Sequence, residues 1–207
     1  MSNFCSNTLE FYCAAHQLML LKESTQNSSR EFDFNRVLPC PDGLSGQLFA
    51  GAIQQEAWEL KYGPQDQLSP DHHELLAAAR AGDGLWEFID FDQEADRLEQ
   101  LRITYGAISE SDWIMKHWGT KSNALSGQEF RVGETASEPQ SWWFETRWSP
   151  PLPLIQALSH KFRRIPMRLI FNEDLTGLHG SICFMAGQEV PAAELPVPMA
   201  MRTWLTK

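Results

Sequence analysis

The chain is short of basic residues and of long apolar runs, and each shortage excludes a class of protein. Its 207 residues include 17 Lys and Arg against 27 Asp and Glu, which gives a formal charge of −10. A broad nucleic-acid-binding surface needs Lys and Arg to neutralise phosphates, so the composition argues against that class while leaving room for a small basic patch. No apolar run is long enough to cross a bilayer, and no secretory signal is visible. We therefore expect a cytoplasmic protein that does not enter membranes.

Metal-binding patterns are also missing. The four cysteines are scattered, and in the cytoplasm we expect them to be reduced and buried rather than ligands of zinc or of an iron–sulfur cluster. His16 follows Cys13 at a zinc-like spacing, but the second half of such a site is absent. His72 and His73 are adjacent, and on a helix their side chains point about 100° apart. We expect no metal and no cofactor.

No arrangement of residues indicates catalysis. Neither Gly43–Gly46 nor Gly177–Gly180 has the pattern of a nucleophile elbow. An enzyme would need the fold to bring His160 or His179 to a carboxylate, which a sequence does not show. The sequence therefore predicts a protein that is not an enzyme, and a small-molecule enzyme remains a third hypothesis beside the two given below.

The most informative stretch is Ser141–Phe162, which reads as a strand, a proline-rich corner and a helix. Side chains alternate along a strand, so Trp142, Phe144, Thr146 and Trp148 are expected on a buried face. The alternate residues Trp143, Glu145 and Arg147 are expected on the other face, which is more polar. Ser149-Pro150-Pro151 ends the strand and suits the first turn of a helix. The following apolar spacing predicts that helix up to Pro166.

The two ends of the chain have strand-like patterns, and the middle has helical ones. The predicted strands are Cys5–Cys13, Glu31–Leu38, Gln128–Val132, Ser141–Trp148, Met167–Glu173 and Leu178–Gln188, with a helix at Ala14–Glu23. The predicted helices of the middle are Gly46–Tyr62, Pro70–Ala81, Gly84–Gly106 and Ser109–His117. This order predicts an α+β fold, a ferredoxin-like antiparallel sheet with helices on one face, formed by residues 1–43 and 119–207, plus a helical insertion at 44–118.

Three separated motifs resemble the Api92-like, or YubB-like, family. Met1–Asn7 reads MSNFCSN and resembles the family's M-x-N-W-C-x-N start, with Phe4 in place of the tryptophan. Trp118–Lys121 resembles its W-G-T-K, and Thr146–Pro151 resembles its T-x-W-S-P-P. Ile170–Glu173 is a near match to a strand that usually ends in tyrosine and glutamate. The resemblance implies a ferredoxin-like domain encoded on phages and plasmids, and it brings no established activity.

The candidate binding residues lie in the turn after the helical stretch and on the polar face of the strand. In the turn, Trp118 offers a stacking face, Lys121 a charge and Asn123 an amide. The alternative is a helix end, with Gly119 in the left-handed cap position and Trp118 packed inward. Trp143 and Arg147 complete the predicted site on the strand.

Two functions remain open from the sequence. The first is a mobile-element accessory protein that binds a protein partner, such as a host nuclease or another host defence factor. Its docking face would be the acidic stretch Gly82–Gln100, which has seven Asp and Glu residues against Arg97 alone. The alternative is a single-stranded nucleic-acid-binding module, in which the sheet face and the Trp118–Asn123 turn contact the strand.

Overall fold

The structure is a computed structural model that describes residues 3–46, 51–64, 71–125, 128–133 and 138–197, apart from the side chain of Leu85. Contacts divide the chain into two compact units. The sheet unit contains Met1–Pro39 and Ile114–Lys207, and the helical unit contains Cys40–Trp113.

Strands and helices follow one another along the chain as follows. The elements are β1 (Phe4–Phe11), α1 (Ala15–Thr25), α2 (Phe34–Val37), α3 (Ala52–Tyr62), α4 (His72–Ala81), α5 (Phe91–Tyr105), α6 (Glu110–Trp118), β2 (Glu129–Arg131), β3 (Gln140–Arg147), α7 (Leu152–Lys161), β4 (Met167–Glu173), β5 (Leu178–Met185) and β6 (Gln188–Val190). Short 3₁₀ helices lie at Gly84–Phe88 and Ala192–Glu194.

The described strands form one antiparallel sheet in the order β2-β3-β1-β4-β5-β6. Strand β1 lies at the centre, between β3 and β4, so the N-terminal strand pairs with two strands from the C-terminal half. The first four strands of this order have the arrangement of a ferredoxin-like fold, and β5 and β6 extend it by two. The predicted α+β class is confirmed.

The core of the sheet unit follows from alternation along the central strands. Leu9 on β1 lies opposite Trp142 on β3 and Leu169 on β4, and all three are fully buried. The Phe32 ring stacks on Trp142 at 5.1 Å between centroids, and its edge meets Phe144. Helix α7 adds three buried apolar side chains, Leu154, Ile155 and Leu158. The predicted buried face of β3 is confirmed for Trp142, Phe144 and Thr146.

The predicted strand Glu31–Leu38 is wrong. Its central residues form the short helix α2, which begins after Asp33, whose carboxylate accepts a hydrogen bond from the Asn35 amide. The alternation of Phe32 and Phe34 suggested a strand, yet both rings enter the core from irregular and helical backbone. In the observed sheet, β2 occupies the edge beside β3.

Three other predictions need correction. The predicted helix Gly84–Gly106 is broken, because Asp90 accepts a hydrogen bond from the Gln93 amide and starts α5 after a 3₁₀ turn. The strand predicted to reach Gln188 is interrupted by Ala186, whose φ is +54°, and by the glycine that follows it. Trp148 leaves the strand instead of lying on its buried face, with φ +74° and 48% of its surface exposed.

Residues 47–50 and Pro70, within two predicted helices, lie outside the described residues.

We expect Phe32→Ala to destabilise the sheet unit by about 3–5 kcal/mol, because the substitution removes a fully buried ring and leaves a cavity. Hydrogen exchange of the β1 and β3 amides in increasing urea measures the loss. The control Val132→Ala removes an exposed side chain and is expected to change the stability by less than about 0.5 kcal/mol. Equal effects of the two substitutions would contradict the assigned core.

Candidate functional site

A chain of buried and partly buried hydrogen bonds connects the three sequence motifs. The Asn7 amide nitrogen donates to the Thr146 hydroxyl and to the Cys5 carbonyl, each at 2.9 Å. The Thr146 hydroxyl donates to the Ser149 carbonyl at 2.8 Å, and the Ser149 hydroxyl donates to the Gly119 carbonyl at 2.6 Å. Asn7 and Thr146 are fully buried. We call this set of residues (Asn7, Thr146, Ser149 and Gly119) the motif junction.

Close packing against the proline-rich corner explains why the turn has a glycine at 119 and a threonine at 120. Gly119 has φ +80°, and a Cβ there would lie 2.4 Å from Cδ of Pro153. The hydroxyl of the buried Thr120 donates to the Arg147 carbonyl at 2.7 Å. A glycine and a small hydroxyl residue are therefore required where the W-G-T-K turn meets the proline-rich corner.

Two of the predicted site residues have structural contacts inside the sheet unit. Trp118 is buried, and its indole nitrogen donates to the Leu38 carbonyl at 2.9 Å. The Asn123 side chain accepts from the Phe34 amide at 3.0 Å and donates to the Asp33 carboxylate at 2.6 Å. Both side chains hold the α2 region against the turn, so neither presents its polar group to an open surface.

The other predicted site residues lie nearer to solvent. Trp143 is half-buried on the sheet face away from the aromatic core, and its indole nitrogen donates to the Ser6 hydroxyl at 3.0 Å. Lys121 and Arg147 are exposed, and the Lys121 ammonium lies 4.8 Å from the centre of the Trp148 ring. Sequence reasoning missed Trp148 as a surface residue. Its position directly before Ser-Pro-Pro, where a strand has to end, was the available signal.

The negative charge of the chain is concentrated in the helical unit. Cys40–Trp113 contains 15 acidic and 4 basic residues, so the rest of the chain has 12 acidic and 13 basic residues. All four of these basic residues form ion pairs inside the unit, as Lys61–Asp92, Lys61–Asp96, Arg80–Asp92, Arg97–Glu94 and Arg102–Glu99. Most of the acidic charge is therefore not neutralised within the described part of the unit.

Helices α3 and α5 are joined by polar contacts that use part of the predicted acidic face. Glu99 on α5 accepts hydrogen bonds from Arg102 and from the indole nitrogen of Trp58. These bonds, with Arg102 as the larger cause, lower the pKa of Glu99 to about 2. Asp96 accepts hydrogen bonds from Lys61 and Tyr62, which lower its pKa too. These carboxylates stabilise the helix pair.

An exposed aromatic ring lies within the acidic stretch of the helical unit. Phe88 is 73% exposed at the end of the 3₁₀ helix, with Asp83 and Glu87 exposed nearby in sequence. An open groove of about 510 Å³ runs beside it. The lining of this groove includes Arg80, Glu87, Phe88, Ile89, Asp90 and Asp92. We call this surface the acidic groove. It combines a large apolar contact with negative charge, which suits a basic protein surface.

No group of three or more His, Cys, Asp or Glu residues suited to holding a metal ion occurs in the described ranges. No helix among the described residues is both long and apolar enough to span a membrane.

Comparison with known proteins identifies one part of the chain. Residues 127–198, which include β2 to β6, match a family model described as the ferredoxin-like domain in Api92-like protein. This stretch, about a third of the chain, is therefore similar to the ferredoxin-like domain of Api92-like proteins. Among solved structures, the chain is similar to protein api92 from Yersinia pseudotuberculosis, with 10% sequence identity, a TM-score of 0.48, and coverage of 92% of this chain and 96% of that one. A search of curated proteins found no match.

We expect Thr146→Val to destabilise the sheet unit by about 1–3 kcal/mol, because the buried Asn7 amide and Ser149 carbonyl would each lose a hydrogen-bond partner. Thermal unfolding of the purified chain measures the effect. Thr8→Val is the matched control, since Thr8 is only half-buried on the neighbouring strand. If Thr146→Val matches the wild type in stability, the motif junction does not have the role assigned to it.

We expect the contact between α3 and α5 to weaken in acid. Because the folded-state pKa of Glu99 lies below its ordinary value of 4.5, its contribution to stability is complete above about 4.5 and is lost as the pH falls towards about 2. Hydrogen exchange of the α3 and α5 amides across this range measures the loss. Glu99→Gln, which cannot ionise, is expected to flatten the pH dependence, and an unchanged profile would contradict the assignment.

Proposed function

We propose that this protein is an accessory protein of a phage, plasmid or related mobile element, and that it acts in the cytoplasm by binding a protein partner through the acidic groove. The observation that carries the proposal is the exposure of Phe88 directly after Glu87, whose carboxylate forms no ion pair or hydrogen bond within the described residues. The local match to an Api92-like domain and the resemblance of the three motifs support the wider family and its genomic setting.

The exposed ring of Phe88 contributes little to the stability of the helical unit. A phenylalanine that is 73% exposed gains little from burial in the chain itself, whereas Phe91 and Trp86 nearby are packed in the core of the helical unit. The same segment thus contains buried aromatic residues that stabilise the unit and one that does not. Aromatic residues exposed in this way are typical anchors of protein interfaces.

Two carboxylates close to Phe88 in sequence are not neutralised by the chain. Asp83 and Glu87 have no ion pair or hydrogen bond through their side chains within the described residues, while Asp92, Asp96 and Glu99 are used between the helices. A negative surface around an apolar anchor attracts a positive one and steers it into contact. We therefore expect a partner with a basic surface, as a nucleic-acid-binding host factor such as a nuclease has.

Affinity purification from host lysate, followed by a binding measurement with the recovered protein, tests the proposal. We expect the triple variant Asp83→Asn, Glu87→Gln, Phe88→Ala to bind at least about tenfold more weakly, because it loses the anchor and two charges. Raising the salt concentration is expected to weaken the wild-type complex, since screening reduces the attraction.

The control variant Glu31→Gln, Glu189→Gln removes two exposed charges outside the helical unit and is expected to bind like the wild type. Recovery of background proteins alone, or equal recovery by the triple variant, would overturn the proposal.

A further inference from the structure

Trp148 adopts a backbone conformation that its residue type disfavours. Its φ of +74° lies in the left-handed region, which bulky residues rarely adopt and which glycine adopts without steric strain. The surrounding backbone holds it there. The Trp148 amide donates to the Asn3 carbonyl at 3.1 Å, and the Ser149 amide donates to the Arg147 carbonyl at 3.0 Å. A tryptophan at this position therefore costs conformational free energy that a glycine would not.

Packing does not offset this cost, because the side chain is 48% exposed. Three other exposed residues lie near Trp148 in space, in sequence or across the strand pair. The Lys121 ammonium lies 4.8 Å from the centre of the ring, and Arg147 precedes it in the chain. Phe4 is 46% exposed and lies directly opposite Arg147 in the β1–β3 register. We call these four residues (Phe4, Lys121, Arg147 and Trp148) the Trp148 platform.

The platform is locally positive although the chain is negative. Neither the Arg147 guanidinium nor the Lys121 ammonium forms an ion pair or hydrogen bond with any described residue, and the ammonium lies over the Trp148 ring. The next acidic residue along β3 on the same face is Glu145, opposite Ser6 and two pairs further from the strand end. The excess negative charge belongs to the helical unit, while the sheet unit has almost equal numbers of acidic and basic residues.

We propose that the Trp148 platform binds single-stranded nucleic acid, with a base stacked on Trp148 and the adjoining phosphates on Lys121 and Arg147. The exposed part of an aromatic ring accepts the face of any base, and the two cations neutralise adjoining phosphates. The strained tryptophan is retained for its side chain, which the motif junction holds in an exposed position. This surface shares no residue with the acidic groove, so different variants test the two proposals and one can fail without the other.

Fluorescence anisotropy with labelled oligo(dT) and oligo(U), added to the full-length chain at low salt, tests the proposal. We expect Trp148→Gly to weaken binding about tenfold or more, because one stacked base is lost. The same substitution is expected to leave the thermal unfolding midpoint unchanged or raised, since glycine suits the left-handed backbone. A loss of binding without a loss of stability separates a binding role from a structural one.

The two cations are tested by the salt dependence of binding. Neutralising two phosphates of a single strand gives a slope of about −1.4 in a plot of the logarithm of the association constant against that of the salt concentration. Lys121→Ala, Arg147→Ala is expected to weaken binding and bring the slope towards zero. Lys161→Ala, Arg163→Ala removes two exposed cations elsewhere on the sheet unit and is expected to change neither value.

Several results would overturn the proposal. They are the absence of binding to both oligonucleotides at low salt, wild-type binding by Trp148→Gly, and equal weakening by the Lys161 and Arg163 control. If Trp148→Gly lowers the unfolding midpoint, the Lys121→Ala, Arg147→Ala variant becomes the deciding test. Both of these side chains are exposed, so their loss is not expected to affect folding. Loss of a copurified protein in Trp148→Gly, without oligonucleotide binding by the wild type, would assign the platform to a protein interface instead.

Discussion

The sheet unit depends on the hydrogen bonds that run from Asn7 through Thr146 and Ser149 to Gly119. They join the central strand, its neighbour β3, the proline-rich corner and the turn after α6. The Asn7 amide and the Thr146 hydroxyl are fully buried, and such groups are costly when left without partners. The junction therefore specifies one arrangement of these segments. It also explains why three motifs far apart in sequence resemble a single family pattern.

The two units differ in how they use charge. In the helical unit, carboxylates on α5 are held by Lys61 and Trp58 from α3, which stabilises the helix pair. Glu87, next to Phe88, has no side-chain ion pair or hydrogen bond among the described residues, and it lines the acidic groove together with Asp90 and Asp92. The sheet unit has a near balance of charges, and at the end of β3 two cations meet an exposed tryptophan. One chain thus presents two surfaces of opposite character, which suits two different ligands.

Much of the sheet unit was predictable, because its strands and last helix have strong local signals. Alternation in Ser141–Trp148 and the exact bounds of Met167–Glu173 reflect side chains that face a core on one side. The strand predicted at Glu31–Leu38 rested on the same alternation, but it was wrong. Phe32 and Phe34 alternate in sequence without lying in a strand. The structure separates the predicted site residues into two groups. Lys121 and Arg147 are exposed as a binding role requires, whereas Trp118 and Asn123 contact the α2 region.

The sequence by itself determined the class of fold, the helical character of the middle and the positions where strands must end. These features depend on residue type and on spacing over a few positions, which local sterics and hydrophobic patterning decide. Only the tertiary structure decided which tryptophan is exposed and which acidic residues are free. Burial of Trp118 depends on Phe34 and Leu38, about eighty residues away, and pairing of Asp96 depends on Lys61 from another helix. Contacts over such separations exist only after the chain has folded, so no local pattern contains them.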